Sequence, residues 1–105
     1  ADPNAESREG DTPLRLAVEA DDAELAEMLL DRGANVNATD ATYNTPLHKA
    51  ADLGHDGMVK LLIASGADPK ASNRRGKTPL DCARENDNDE VVRVLLRYGP
   101  AEERG

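Results

Sequence analysis

Apolar residues in this chain come in short bursts at helical spacing, and a turn residue cuts each burst off. Leu47, Ala50 and Ala51 lie three and four residues apart behind Thr45 and Pro46, which predicts a helix of about two turns. Thr45 can accept from the first free backbone N–H groups, and Pro46 fills a position whose N–H would be unpaired anyway. Leu53-Gly54-His55 stops that helix, because Gly54 can take positive φ. Met58, Val59, Leu61, Leu62 and Ile63 predict a second helix over residues 56–65, closed by Gly66. Residues 67–73 lack that periodicity and read as an extended, turn-rich link.

The same plan occurs three times. Thr12-Pro13-Leu14, Thr45-Pro46-Leu47 and Thr78-Pro79-Leu80 stand 33 residues apart, and so do Ala17, Ala50 and Ala83. Leu29, Leu62 and Leu95 share the register, as do Gly33, Gly66 and Gly99. The first copy predicts helices over 12–20 and 23–32 about a break at Asp21-Asp22. The third predicts 78–86 and 89–98 about a break near Asp87. A fixed period of this length means one supersecondary unit stacked on itself. Helices this short are marginal alone in water, so each pair must bury its apolar stripe on the next. The expected core is Leu14, Leu47 and Leu80 together with the Leu29, Leu62 and Leu95 layer. The first copy is expected to expose apolar surface around Ala17, Val18, Leu25 and Met28, an edge for weak self-association if the protein is not a plain monomer.

Composition narrows the picture. The 105 residues amount to one domain, with units at about 7–39, 40–72 and 73–105. Two Tyr are the only aromatic residues, so the core must be aliphatic, which suits closely spaced short helices. Thirteen basic against 21 acidic residues give a net charge of −8, a field that repels phosphate backbones and speaks against general nucleic-acid binding. No apolar run has the length of a membrane span and no leader pattern opens the chain, so a soluble protein away from the membrane is expected. The single Cys82 precludes an internal disulfide and agrees with a reducing, cytoplasmic setting. Asn37-Ala38-Thr39 matches a glycosylation acceptor, but three-residue matches arise by chance too often to weigh.

The phrases Thr45-Pro46-Leu47-His48-Lys49-Ala50-Ala51, Leu53-Gly54-His55, Val59-Lys60-Leu61-Leu62 and Gly66-Ala67-Asp68 resemble an ankyrin repeat. Gly33-Ala34-Asn35-Val36-Asn37-Ala38 is similar to the phrase with which that family enters its β-hairpin. The resemblance covers residues 7–100 as three units. Residues 1–5 parallel 67–71 and read as the tail of a preceding unit or as an expression remnant. It implies an all-α solenoid of antiparallel helix pairs, with hairpin loops at right angles and a concave face that binds another protein.

Departures from the family pattern are informative. His48 should tie the helix start to the turn before it, yet Arg15 and Asp81 hold its place in the other units. Asp81, three residues after Thr78, can close a capping box. Asp21 and Asp87 stand where Gly54 stands, and Asp tolerates left-handed geometry better than most residues. Tyr43 occupies the place of Gly10 and Gly76, so it strains its turn, marks a different hairpin, or points outward as a contact.

Chemistry finds little purchase here. His48 and His55 lie on opposite sides of a helix stop, and no Cys pair or His-Glu spacing has zinc geometry. Cys82 beside Ala83 reads as a packed thiol, since a Cys-His nucleophile would need a pocket that such solenoids seldom form. Asp21, Asp22, Glu24 and Glu27, like Asp87, Asp89 and Glu90, crowd helix starts where the macrodipole favours negative charge. The glycines at 66 and 99 end helices, the wrong order for cradling phosphate. No enzyme activity, cofactor or metal is expected.

What remains is the surface that varies while the scaffold repeats. The tips offer Arg8, Glu9 and Asp11; then Ala41, Thr42, Tyr43 and Asn44; then Arg74, Arg75 and Lys77. Matching helix positions are Glu19 and Ala20, Asp52 and Leu53, and Glu85 and Asn86. The pattern sets a basic third tip against an acidic row of Glu19, Asp52 and Glu85. Its bland reading is loose pairing of Arg74 or Arg75 with Glu85 or Asp52 on a solvated face. Leu53 and Tyr43 are the better anchors, although Leu53 can equally staple two helices. The chief expectation is a protein-binding module. The alternatives are a structural piece of a longer or designed array, or an inhibitor that binds an enzyme.

Overall fold

Three Thr-Pro starts become three helix starts. The computed structural model describes residues 12–98. There, Thr12, Thr45 and Thr78 are extended N-caps whose hydroxyls accept from the backbone N–H of Arg15, His48 and Asp81 at 3.2–3.3 Å. Each is followed by Pro at the first helical position. The helices are α1 (Pro13–Glu19), α2 (Ala23–Asp31), α3 (Pro46–Leu53), α4 (Asp56–Ala64), α5 (Pro79–Glu85) and α6 (Asp89–Tyr98). These match the predicted spans once the caps are set aside. No strand occurs among the described residues, so the hairpins are turns without a ladder.

Within each pair the chain reverses on a residue in the left-handed region: Asp21 (φ 55°), Gly54 (φ 78°) and Asp87 (φ 55°). Both Asp substitutions therefore take the geometry expected of them. Gly54 is needed for a second reason, because a Cβ there would lie 3.0 Å from Asn88 Oδ1. The pairs then stack in two layers, α1–α3–α5 and α2–α4–α6. Ala17, Ala50 and Ala83 are at most 1% exposed, and small residues at these positions let the first-layer helices approach closely.

The core runs unbroken through the stack: Leu14, Val18, Leu47, Met58, Val59, Leu62, Val91 and Leu95 are its larger members. Two expectations need correcting. Leu29 and Leu80 are only partly buried, because α2 and α5 pack with fewer neighbours than the central helices. Ala17 and Val18 are buried, since they lie three and four residues after Leu14 on the side of α1 that joins the core, while Leu25 (39%) and Met28 (48%) are exposed as anticipated and Leu16 (53%) joins them.

Candidate functional site

The loop tips are built by side chains that imitate backbone. Asp40 Oδ1 accepts from the N–H of Thr42, the N–H of Asn44 and the Thr42 hydroxyl, each at 2.9 Å. Asn73, one period on, accepts from the N–H of Arg75 (2.9 Å) and of Lys77 (3.0 Å). These are Asx turns, in which a short acceptor side chain organises the residues just after it. Asp40 and Asn73 were not singled out from sequence, though Asp or Asn two residues ahead of a turn was a signal available there. Tyr43 and Gly76 close equivalent turns, with Tyr43 N–H to Asp40 O at 3.0 Å and Gly76 N–H to Asn73 O at 2.9 Å. The middle hairpin is thus not different. Tyr43 holds φ 64° where its counterpart Gly76 holds 77°, so the turn bears the strain of a side chain in left-handed geometry.

The ring of Tyr43 points outward, 53% exposed, and carries the Arg74 guanidinium 5.3 Å from its centroid. Arg74 also donates through Nη2 to Ala41 O (3.3 Å), and its backbone N–H donates to Thr42 O (2.9 Å). Asn73 Nδ2 donates to Asn44 Oδ1 at 2.8 Å. The second and third tips are therefore one hydrogen-bonded body.

Below the tips, one register position does three jobs. Arg15 reaches forward to Asp40 at 2.8 Å. His48 is 1% exposed; its Nε2–H donates to Lys77 O at 2.8 Å, and its Nδ1 accepts from Thr45 N–H at 3.0 Å. The ring thus ties its own helix start to the following tip, a forward bond beyond the local one expected. Asp81 closes a capping box on Thr78 N–H at 3.0 Å, as predicted. Burial lowers the pKa of His48, against the raising effect of the Lys77 and Ala71 backbone. Burial would raise Asp40, but bonds from Asn44 and Thr42 and the Arg15 charge hold its carboxyl below the ordinary value.

Between tips and first-layer helices lies a cleft of about 490 Å³. Such stacks were expected to form a pocket seldom, and this one does form a cleft. Of the candidate contact residues, Thr42, Asn44, Asp52, Arg74, Arg75, Lys77 and Glu85 line it. Tyr43, Leu53 (43% exposed) and Asn86 lie outside the lining, and Asn86 Nδ2 donates to Asp52 Oδ1 at 2.6 Å. Arg15, His48, Lys49, Asn73 and Cys82 also line it, all missed because they read as scaffold. Arg8, Glu9 and Asp11 lie outside the described residues.

Two of the three acids in the row are paired from within. Glu19 meets Lys49 at 3.5 Å and Arg15 at 3.6 Å, and Glu85 pairs with Lys77. Lys77 thus takes the role expected of Arg74 or Arg75. Burial, then the Asp52 and Asp81 charges, push the Cys82 thiol up, which disfavours the thiolate a nucleophile requires. Among the described residues no group of His, Cys, Asp or Glu is placed to hold a metal ion, and no helix is long and apolar enough to cross a membrane.

A model of ankyrin repeats in three copies matches residues 39–103, and a second ankyrin-repeat model, of many copies, matches residues 1–50. The chain is an ankyrin-repeat protein. No curated protein matches the chain closely enough to narrow it further. Ankyrin repeats are in general protein–protein interaction modules. In this one, the cleft lies across the second and third tips, where the family's β-hairpin loops would project.

Proposed function

We propose that this ankyrin-repeat protein is a non-enzymatic module that holds another protein against its cleft, with no cofactor or metal. A single domain of units at about 7–39, 40–72 and 73–105, in a cytoplasmic setting, belongs to the same proposal. The supporting observation is the convergence of varied side chains from two tips and two helices on one cleft, over a scaffold tied by inter-repeat hydrogen bonds. Rigid presentation of this kind spares the entropy of ordering loops on binding. Arg74, Arg75, Thr42 and Asn44 would contact the partner from the tips, with Tyr43 and Leu53 as apolar anchors at the rim. Leu53→Ala and Arg75→Glu should each weaken a partner recovered by pull-down about tenfold, with unchanged melting curves. Unaltered affinity in both would remove this face from consideration.

Self-association is a second reading, supported by exposed Leu16, Leu25 and Met28 on the first helix pair. Light scattering across a concentration series tests it, and a strict monomer at high concentration counts against it.

A further inference from the structure

Charge in the cleft is compensated only in part. Of the two carboxylates that line it, Glu85 pairs with Lys77 and Asp52 accepts from Asn86 Nδ2. Arg74 and Arg75 have no carboxylate within ion-pair distance among the described residues, and both line the tip end of the cleft. Arg74 is held against neutral groups only, the Tyr43 ring and Ala41 O, so its charge is unspent while its position is set. Arg75 is exposed, and its backbone is fixed by Asn73. Two arginines consecutive in sequence, both lining the cleft and one with its guanidinium held in advance, suit bidentate capture of a planar carboxylate.

Resting on the reading of the cleft as a protein-binding face, we infer that the partner presents an acidic, extended segment whose Asp or Glu carboxylate is taken by Arg74 and Arg75. The rest of the lining explains why the anion belongs to a peptide. Asp52 lines the cleft with no cationic partner among the described residues, so a polyphosphate, charged at every residue, meets repulsion there and from the chain's net −8. A peptide can place one carboxylate at the tips and amide or hydroxyl groups against Asp52. A cleft of about 490 Å³ also admits a few side chains of an extended segment, not a folded surface.

The test pans a random dodecapeptide display library on the full chain, then measures synthetic versions of the enriched peptides against wild type, Arg74→Glu, Arg75→Glu and Leu53→Ala. Melting curves control for folding. Enriched peptides should carry Asp or Glu. They should weaken about tenfold on either Arg reversal or on Asp/Glu→Asn/Gln exchange in the peptide, and should weaken as salt rises. Neutral or basic peptides that bind and are lost on Leu53→Ala would overturn the acidic assignment while the cleft-binding reading stands. No enrichment at all would fell both. Tighter binding of a random single-stranded oligoribonucleotide than of any acidic peptide would overturn it. So would a concentration-dependent dimer abolished by Arg75→Glu, which would make a second copy of the chain the occupant.

Discussion

The two junctions between helix pairs use the same register positions for different chemistry. Where the first pair meets the second, the principal ties are ionic, Arg15 to Asp40 at 2.8 Å and Lys49 to Glu19 at 3.5 Å, with His55 beside Asp21 at 3.8 Å. Asn37, bonded to Gly66 O and to Asp68 N–H, adds a neutral clasp. Where the second pair meets the third, amides and one neutral imidazole predominate. His48 bonds to Lys77 O (2.8 Å), Asn73 to Asn44 (2.8 Å) and Asn88 to Ala51 O (2.7 Å). His55 and Asn88 are one period apart and both reach back to the preceding pair. The repeat thus decides where a tie is made, and the residue decides what it is made of. Ion pairs weaken as salt rises, the exposed ones most, while neutral hydrogen bonds are nearly indifferent to it. The cleft lies across the second tip and the third, over the junction tied mainly by neutral groups.

The largest effect should come from the core layer that both junctions share. Leu62→Ala should cost about 2–5 kcal/mol in chemical denaturation, and Leu29→Ala, only partly buried at the end of the layer, clearly less. Equal costs would erase the distinction between centre and edge. Next come the ties at the shared register position. Arg15→Ala should cost about 1.5–3 kcal/mol at low salt and less at high salt. His48→Ala should cost about 1–3 kcal/mol at any salt, because it orphans Thr45 N–H and Lys77 O. Matching salt dependence in the two variants would refute the ionic-versus-neutral contrast.

Acid should separate the junctions in order. His48 has a folded pKa below 6.5, so its neutral ring contributes fully above that pH. Its contribution is lost as pH falls from 6.5 through the folded value, because the unfolded chain binds the proton first. Asp40 lies below 3.8, so the first junction loses its share only as pH falls beneath that. Hydrogen exchange at the second and third tips should therefore quicken at milder acidity than at Arg15, and His48→Ala should abolish that early phase.

The smallest effect sets one tip against the other. Tyr43→Gly relieves about 1–2 kcal/mol of left-handed strain and forfeits about 0.5–1 kcal/mol of Arg74 stacking. A slight rise in melting temperature is expected, with Gly76→Tyr acting in the opposite direction. A fall for Tyr43→Gly would mean the stack outweighs the strain.

The helices, their caps and the reversal at Asp21, Gly54 and Asp87 were legible from sequence because each depends on residues within four positions of one another. Local sterics and capping hydrogen bonds need no knowledge of the fold. The site is half legible: varied tip residues stand out in the sequence, while Asn73 and Lys49 carry no distinguishing signal and His48 reads as a structural tie, although all three line the cleft. The burial of Ala17 and Val18 was not legible for a related reason, since a repeat period does not say which residues of a helix pair turn toward the core.

By itself, then, the amino-acid sequence determined the period, the helix pairs and the family, all consequences of short-range chemistry repeated in register. Only the tertiary structure decided that Lys77 and not Arg74 or Arg75 meets Glu85, which leaves those two guanidinium groups uncompensated. Partners some thirty residues apart in sequence, such as His48 with Lys77 and Asn44 with Asn73, meet only once the stack is built. Their geometry depends on the packing of neighbouring pairs, and no local pattern encodes it.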